Sequence, residues 1–368
     1  MNLTSRVSLS VVIISFKENQ TLNACLTALS KQTQPPDEII VVEDDSSEKS
    51  VRIIDTWKVR HAVLPPPLES GRYGRRAACR RLGTDMARGK VLLFLDGDTL
   101  LAPRVIERIV ETWMKFGGNP NDSSSLMIPS VDIDPLKTGY DYESVMRETL
   151  SKAGMKMGPE REEAARAQEK REAGQSALTA AAVRPYGGER VGLGSWIVKD
   201  VKHMENTDVR WNETRSRCWA VSGEDMQRVN NWDSDFVGYG EEDIELAYRL
   251  YQTCLTRFRI LHLPDILAAH ITHGIDYRRR DREWARNGAL LIIKHPELQK
   301  ERCAFFRKMG LENLLMREIG KMEGVFACDD GHGTRARHAG QVMTPFERMV
   351  CTTAGAELHI GKPHVSSS

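Results

Sequence analysis

The sequence predicts an α/β fold, a mostly parallel sheet with helices on both faces and a helical extension at the carboxyl end. Three short apolar runs carry the first half of that prediction: "VSLSVVII" at 7–14, "IIVV" at 39–42 and "VLLFL" at 91–95. They are strand-length, continuous and largely aliphatic, as in strands buried on both sides. Between them lie segments with apolar residues at helical spacing, and strand–helix alternation marks parallel crossover units.

The elements follow in order. After the first strand, "SFKEN" supplies turn chemistry, and "TLNACLTALSKQ" sets Leu22, Cys25, Leu26 and Leu29 on one helical face until "TQPPDE" stops it. "IIVVEDDSS" is a second buried strand ending in acids, "SVRIIDTWKV" a helix, and "HAVLPPP" an edge strand running into a loop. "GRYGRRAACRRLGTDMA" reads as a basic helix with Ala77, Ala78, Leu82 and Met86 on its packed side. The third strand, "GKVLLFL", leads into "DGDTLLAP" and the helix "RVIERIVETWMKF". From 141 to 183 the chain turns charged and Ala-rich, which predicts an exposed helix or a mobile insertion, followed by the Gly-rich loop "RPYGGERVGLGSW". "GYGEEDIELAYRLYQTC" starts a helix with acids in its first turn, where the helix dipole favours them. "FRILHLPDILAAHITHG" is strand, turn and strand, and helices fill most of the chain beyond about 278.

Composition narrows the classes. The 368 residues carry 52 basic and 51 acidic side chains, a formal charge of +1 that gives no general attraction to nucleic acid or to an anionic membrane. With 40% hydrophobic residues a core is affordable, and no apolar run approaches the roughly 20 residues of a membrane span. The opening residues lack the charged start and cleavage site of a signal peptide, and the seven cysteines form no CxxC or CxxH pair. Those features predict a cytoplasmic protein with reduced thiols, touching membranes at most peripherally.

Three Asp-x-Asp triplets occur, at 96–98, 132–134 and 233–235. Only the first ends a buried strand beside a second acid cluster, Glu43-Asp44-Asp45, and ligands of open parallel sheets bind beyond the carboxyl ends of the strands. A bend at Gly97 would let Asp96 and Asp98 converge on one Mn²⁺ or Mg²⁺, an ion that also takes oxygens from a diphosphate. His270 and His273 of "HITH", three apart at another strand end, are the remaining candidate ligands. Glu241, Glu242 and Asp243 either cap a helix or supply a general base for an acceptor hydroxyl. Trp232, Phe236 and Tyr239 either stack on sugar rings or belong to the core.

Here a resemblance enters. The stretch from "VSLSVVIISF" to "QTQPPDEIIVVEDDSSE", the block "GRYGRRAACRRLGTDMARGKVLLFLDGDT" and the run "NNWDSDFVGYGEEDIELAYRL" with "HITH" resemble family 2-like glycosyltransferases of the Rossmann-like GT-A fold with a galactosyltransferase-type carboxyl-terminal motif. The resemblance covers about residues 7–275 and implies a GT-A domain over 1–275, with a nucleotide-binding half to about 130, an acceptor half over about 180–275 and a helical extension over 276–368. It implies a nucleotide pocket lined by Ser15, Phe16, Glu18 and Asp44, with Asp96 and Gly97 near the ribose and metal, and Arg75, Arg76 or Arg80 approaching the diphosphate. It implies metal ligation by Asp96, Asp98, His270 and His273, catalysis by Asp243 with Glu242, and contacts to sugar or acceptor from Trp232, Tyr239, Gly240 and Glu241.

The function expected is metal-dependent transfer of a sugar from a nucleotide-sugar donor, a UDP-sugar first, to an acceptor hydroxyl of a glycan, peptide, lipid-linked sugar or small molecule. Inversion is the family's tendency. Departures occur on both sides: Glu43-Asp44-Asp45-Ser46 replaces the usual Asp-Asp-Gly-Ser, and Arg80-Arg81 the common Arg-Asn. At the acceptor side Asn231-Trp232-Asp233-Ser234 and Gly238-Tyr239-Gly240-Glu241 differ from the usual Gly-Phe-Asp-Glu and Gly-Trp-Gly-Gly. Two rivals stand beside this reading. One is nucleotidyl transfer onto a sugar phosphate, disfavoured because "SFKENQ" lacks a glycine-rich phosphate loop; the other is a non-catalytic nucleotide- or carbohydrate-binding protein.

Overall fold

A computed structural model describes residues 7–16, 20–67, 74–116, 124–128, 130–152, 182–183, 191–192, 211–254, 259–263 and 266–328. The chain divides into two compact units, Met1–Glu283 and Trp284–Ser368.

The first unit opens with β1 (Leu9–Ser15), α1 (Gln20–Ser30), β2 (Glu38–Glu43), α2 (Glu48–Trp57), β3 (Arg60–Val63), α3 (Arg76–Met86) and β4 (Val91–Asp96). β4 is followed after two residues by β5 (Thr99–Leu101), then α4 (Val105–Phe116), β6 (Ser124–Met127), β7 (Ser130–Ile133), α5 (Pro135–Thr138) and α6 (Tyr142–Lys152). A two-residue pair, β8 (Ala182–Val183) and β9 (Val191–Gly192), is antiparallel. Then come β10 (Cys218–Ser222), α7 (Gly223–Arg228), α8 (Glu242–Cys254), β11 (Arg259–His262) and β12 (Ala268–Ile271).

Seven strands form the main sheet in the order β11-β6-β10-β4-β1-β2-β3. Its β3-β2-β1-β4 block is parallel throughout, and β10 is antiparallel to both its neighbours. A second sheet has the order β5-β12-β7. All seven residues of β1 are buried, as an unbroken apolar run at a sheet centre requires. Val11 and Ile13 face a core shared with Leu22, Leu26 and Leu29 of α1, while Ile14, Ile40 and Val42 pack with Cys79, Leu82 and Met86 of α3. The faces alternate with the pleat.

α3 buries Ala77, Cys79, Arg80 and Gly83, and Ala78 is only half-buried, so the packed side differs from the sequence expectation. The difference has a cause in close approach. A Cβ at Gly83 would lie 2.3 Å from Val12 Cγ1, so only glycine lets α3 sit this near β1, and the turn before it carries Arg80 inward. Residues 142–152 also depart from the expectation of an exposed or mobile stretch. They form α6, which buries Tyr142, Val145, Met146, Thr149 and Leu150 at helical spacing, a stripe diluted when 141–183 is read as one segment. Residues 153–181 lie outside the described residues, as does most of the Gly-rich loop that follows.

The second unit begins within α9 (Tyr277–Lys294) and continues through a 3₁₀ turn, Pro296–Leu298, into α10 (Gln299–Lys308) and α11 (Glu312–Cys328). Trp284 meets Phe305 and Phe306 at ring-centroid distances of 5.6 and 5.5 Å, and Gly288 leaves the room that the Phe306 ring occupies. Among the described residues no helix is long and apolar enough to cross a membrane.

Candidate active site

Parallel register brings the acid-bearing strand ends to one edge. Ser15 pairs with Glu43 and Ile14 with Asp96, so the ends of β1, β2 and β4 are level. Ligands of parallel sheets bind at that edge. The acids there have distinct surroundings. Glu43 is fully buried and lies 3.0 Å from His61 Nε2, and burial raises its pKa against the pull of Ser50 and His61. Asp44 accepts from the backbone N–H of Gly74 (2.5 Å) and Arg75 (2.8 Å) and from Arg75 Nε (2.6 Å), which fastens the start of α3 to β2. Ser15 is buried, its Oγ without a hydrogen-bond partner among the described residues, and Phe16 beside it is 43% exposed. Glu18 lies outside the described residues.

Asp96 and Asp98 part rather than converge. β4 leaves the main sheet at Asp96 and the chain enters the small sheet at Thr99, so the two carboxylates face different partners. Asp96 Oδ1 accepts from Arg80 Nη2 at 2.8 Å, and Arg80 Nη1 donates to Glu242 Oε1 at 3.2 Å. The Arg80 side chain is 2% exposed and lies over the Trp232 ring, 5.1 Å from its centroid. Asp96 is therefore paired with an internal cation, and of the four expected ligands it is the one that lies outside the group converging among the described residues.

That group is Asp98, His270 and His273, whose ligand atoms lie within 4.8 Å of one another. Asp98 Oδ2 is 3.3 Å from His270 Nε2 and 3.6 Å from His273 Nε2. Two donors about 2.1 Å from one ion and at right angles lie roughly 3.0 Å apart, so these separations admit a shared cation. One carboxylate with two imidazoles suits Mn²⁺ or another transition ion better than Mg²⁺.

A second acid stands behind His270. Its Nδ1 lies 2.8 Å from Asp132 Oδ1, which also accepts from Arg217 Nη1 at 3.3 Å. Burial and Arg217 disfavour a charged imidazole, but Asp98 and Asp132 outweigh them and raise the His270 pKa to about 9. Burial likewise works against the Asp98 carboxylate, and the His270 charge and hydrogen bond overcome it, holding Asp98 well below the usual carboxylate range. Without a metal, then, a proton on His270 supplies part of the positive charge that the acids require. Asp132 belongs to a triplet set aside in the sequence reading. Its signal was the polar position in "SVDI", whose Val131 and Ile133 neighbours are both buried.

The loop before α8 completes the edge. Asn230, Asn231, Gly238, Gly240 and Glu241 all have positive φ, and Glu241 holds 71° while buried, an uncommon conformation for a non-glycine residue that clusters at functional sites. The loop docks on α3: Gly238 N–H donates to Gly74 O (2.9 Å), Arg76 Nη1 to Gly238 O (3.0 Å) and Arg81 Nη1 to Trp232 O (2.9 Å). Arg76 also lies 5.6 Å from the Tyr239 ring centroid, so it braces the loop. Trp232 is fully buried, edge-on to Phe94 at 5.0 Å and to Trp219 at 6.1 Å. Its ring belongs to the core and offers no open face to a sugar. Asp243 Oδ2 accepts from Ser216 N–H at 3.3 Å, and Glu242 Oε2 has no hydrogen-bond partner among the described residues. Burial raises the pKa of both acids; Asp243 adds to the rise at Glu242, while Arg215 and Arg80 oppose the one at Asp243.

Residues 10–144 match the model of Glycosyl transferase family 2. Over 260 residues the chain is 27% identical to a validoxylamine A glucosyltransferase of Streptomyces hygroscopicus subsp. limoneus, covering 67% of this chain and 49% of that protein. The chain spans about half the length of the curated relatives it matches. Among solved structures it is similar to S. aureus TarS in complex with UDP-GlcNAc (14% identity, 78% of this chain and 66% of that one, TM-score 0.47). It is also similar to the mannosyltransferase PcManGT from Pyrobaculum calidifontis in complex with GDP-Man and Mn²⁺ (14% identity, 95% and 80%, TM-score 0.46).

Proposed function

We propose that this chain, which carries a family 2-like glycosyltransferase domain of GT-A fold, transfers a sugar from a nucleotide-sugar donor, a UDP-sugar first, to an acceptor hydroxyl. The observation that carries the proposal is the convergence of Asp98, His270 and His273 at the carboxyl edge of a family 2 sheet. Ser15 Oγ and the exposed Phe16 ring lie at the same edge as Asp44, on the side the base and ribose would take. A divalent cation bound by Asp98, His270 and His273 would neutralise the diphosphate leaving group.

The chain's own residues do the rest. Asp98 and the two imidazoles would hold the cation against which the leaving group is positioned, and the loop at 238–241 shapes the sugar and acceptor side. Asp243 takes the proton of the acceptor hydroxyl as its oxygen attacks the anomeric carbon, and a raised pKa brings its carboxylate nearer the working range of a base. Glu242 is the second candidate for that role, because its Oε2 has no hydrogen-bond partner among the described residues while both Asp243 oxygens accept backbone N–H bonds. Direct displacement by the acceptor would invert the anomeric centre. The relative's name makes a glucosyl donor and a small-molecule acceptor the first pair to assay.

The test is a donor panel that measures nucleoside diphosphate release with Mn²⁺, with Mg²⁺ and with chelator. Release from at least one UDP-sugar, stimulated by Mn²⁺ and abolished in Asp98→Ala, is the expected result. Wild-type rates from both Asp98→Ala and Asp243→Asn would sink the site assignment. Binding of UDP with no turnover on any donor would favour the binding-protein reading.

A further inference from the structure

The geometry points to Asp132 as a positioning residue that fixes His270 in its metal-binding orientation, an inference that rests on reading Asp98, His270 and His273 as a cation site. Both ring nitrogens of His270 are engaged. Nε2 lies 3.3 Å from Asp98 Oδ2, and Nδ1 lies 2.8 Å from Asp132 Oδ1. The two nitrogens leave the ring in different directions, so Asp132 stands across the imidazole from the converging donors and is not one of them. A histidine that binds metal through Nε2 keeps its proton on Nδ1. A carboxylate accepting that proton sets the tautomer, stops the ring from rotating and makes Nε2 a better electron donor.

Backbone pairing builds this arrangement in. In the small sheet His270 pairs with Asp132 on one side and with Thr99, the residue after Asp98, on the other. One row across three strands thus carries the orienting acid, the ligand and the neighbour of the second ligand. Arg217 fixes the acid in turn, with Nη1 3.3 Å from Asp132 Oδ1 and 3.4 Å from Ser130 Oγ. The Asp132, Arg217 and His270 side chains are 35%, 27% and 13% exposed, a half-buried cluster, so metal affinity rather than melting is what separates holding His270 from supporting the sheet.

The experiment titrates the metal-free full chain with MnCl₂ alone, by calorimetry, in wild type, Asp132→Ala, Asp132→Asn and His270→Ala. The expected result is a dissociation constant 10–100-fold weaker for Asp132→Ala. Asp132→Asn, which keeps an oxygen for the Nδ1 proton, should recover part of the loss. Metal-free Asp132→Ala should melt within a few degrees of wild type. Wild-type affinity in Asp132→Ala alongside lost affinity in His270→Ala overturns the positioning role and leaves the cation site standing. Wild-type affinity in His270→Ala removes the cation site and this inference with it. Asn no better than Ala, with both melting early, makes Asp132 a sheet support only and also overturns the inference.

Discussion

Asp96 and Asp98 are separated by one glycine, and the two clusters they anchor handle negative charge in opposite ways. Around Asp96 the cation is part of the chain: Arg80, 2% exposed, bridges Asp96 and Glu242 and rests on Trp232. Around Asp98 the acids meet imidazoles, and a proton on His270 with a pKa of about 9 supplies positive charge in the metal-free protein. A guanidinium keeps its charge at every physiological pH, whereas an imidazole can exchange its proton for a metal ion. The contrast separates a permanent charge that holds Glu242, the neighbour of the candidate base Asp243, from an exchangeable charge at the candidate metal site.

The sharpest way to break this comparison is to remove one anchor at a time. Asp98→Ala should abolish the Mn²⁺ response and lower donor turnover by roughly 10³-fold or more, the scale of several kcal/mol of lost charge stabilisation. Arg80→Met should leave the Mn²⁺ dissociation constant within about threefold of wild type. If Arg80→Met also lost Mn²⁺ binding, the two clusters would be one site and the comparison would fail. Next in size, Asp243→Asn should lower transfer by about 10²–10⁴-fold with unchanged Mn²⁺ affinity. The matching Glu242→Gln variant decides which acid is the base, because only the base's variant should show that loss across the whole acceptor panel.

Stability gives the next test. Arg80→Met leaves Asp96 and Glu242 facing each other's charge without a cation, in a setting where burial and Asp243 already raise the Glu242 pKa. Breaking a buried pair from one side typically costs about 3–5 kcal/mol. Denaturant melts should show that loss, and adding Glu242→Gln to Arg80→Met should recover part of it by removing one of the stranded charges. A double variant no more stable than Arg80→Met would mean that Arg80 acts mainly by packing on Trp232.

The clusters differ in how far the sequence discloses them. Long apolar runs at β1, β2 and β4 disclose the parallel sheet, and their acidic ends disclose the binding edge, because both follow from local pattern. "HITH" could be joined to "DGD" on ligand chemistry. The parting of Asp96 and Asp98 was not legible, since a bend at Gly97 can either fold the two carboxylates together or pass the chain from one sheet to the next, and local pattern does not say that the chain changes sheets between them. Arg80 was hidden for a related reason. In "CRRLG" two arginines are adjacent, and only the approach of α3 to β1 decides that Arg80 is buried and Arg81 is not. Asp132 escaped notice because its partner is 138 residues away in sequence.

The smallest expected effect comes from Gly83→Ala, one turn after Arg80 on α3. An alanine Cβ there would stand 2.3 Å from Val12 Cγ1 and 3.3 Å from Val42 Cγ2, so helix or strand must shift. Overpacking of this kind costs about 1–3 kcal/mol, and the better helix propensity of alanine returns up to roughly 1 kcal/mol. The shift would move α3 away from β1 and carry the Arg80 guanidinium from its 2.8 Å contact with Asp96. Among the described residues, the ion pairs of Asp98, His270 and His273 run to one another and to Asp132, none of them to α3. Gly83→Ala should therefore lower the denaturation midpoint by a few degrees, reduce transfer modestly, and leave Mn²⁺ affinity at the wild-type value. Equal losses of metal affinity and of transfer in this variant would show that the small sheet moves with α3, and that the internal and exchangeable charges are mechanically coupled.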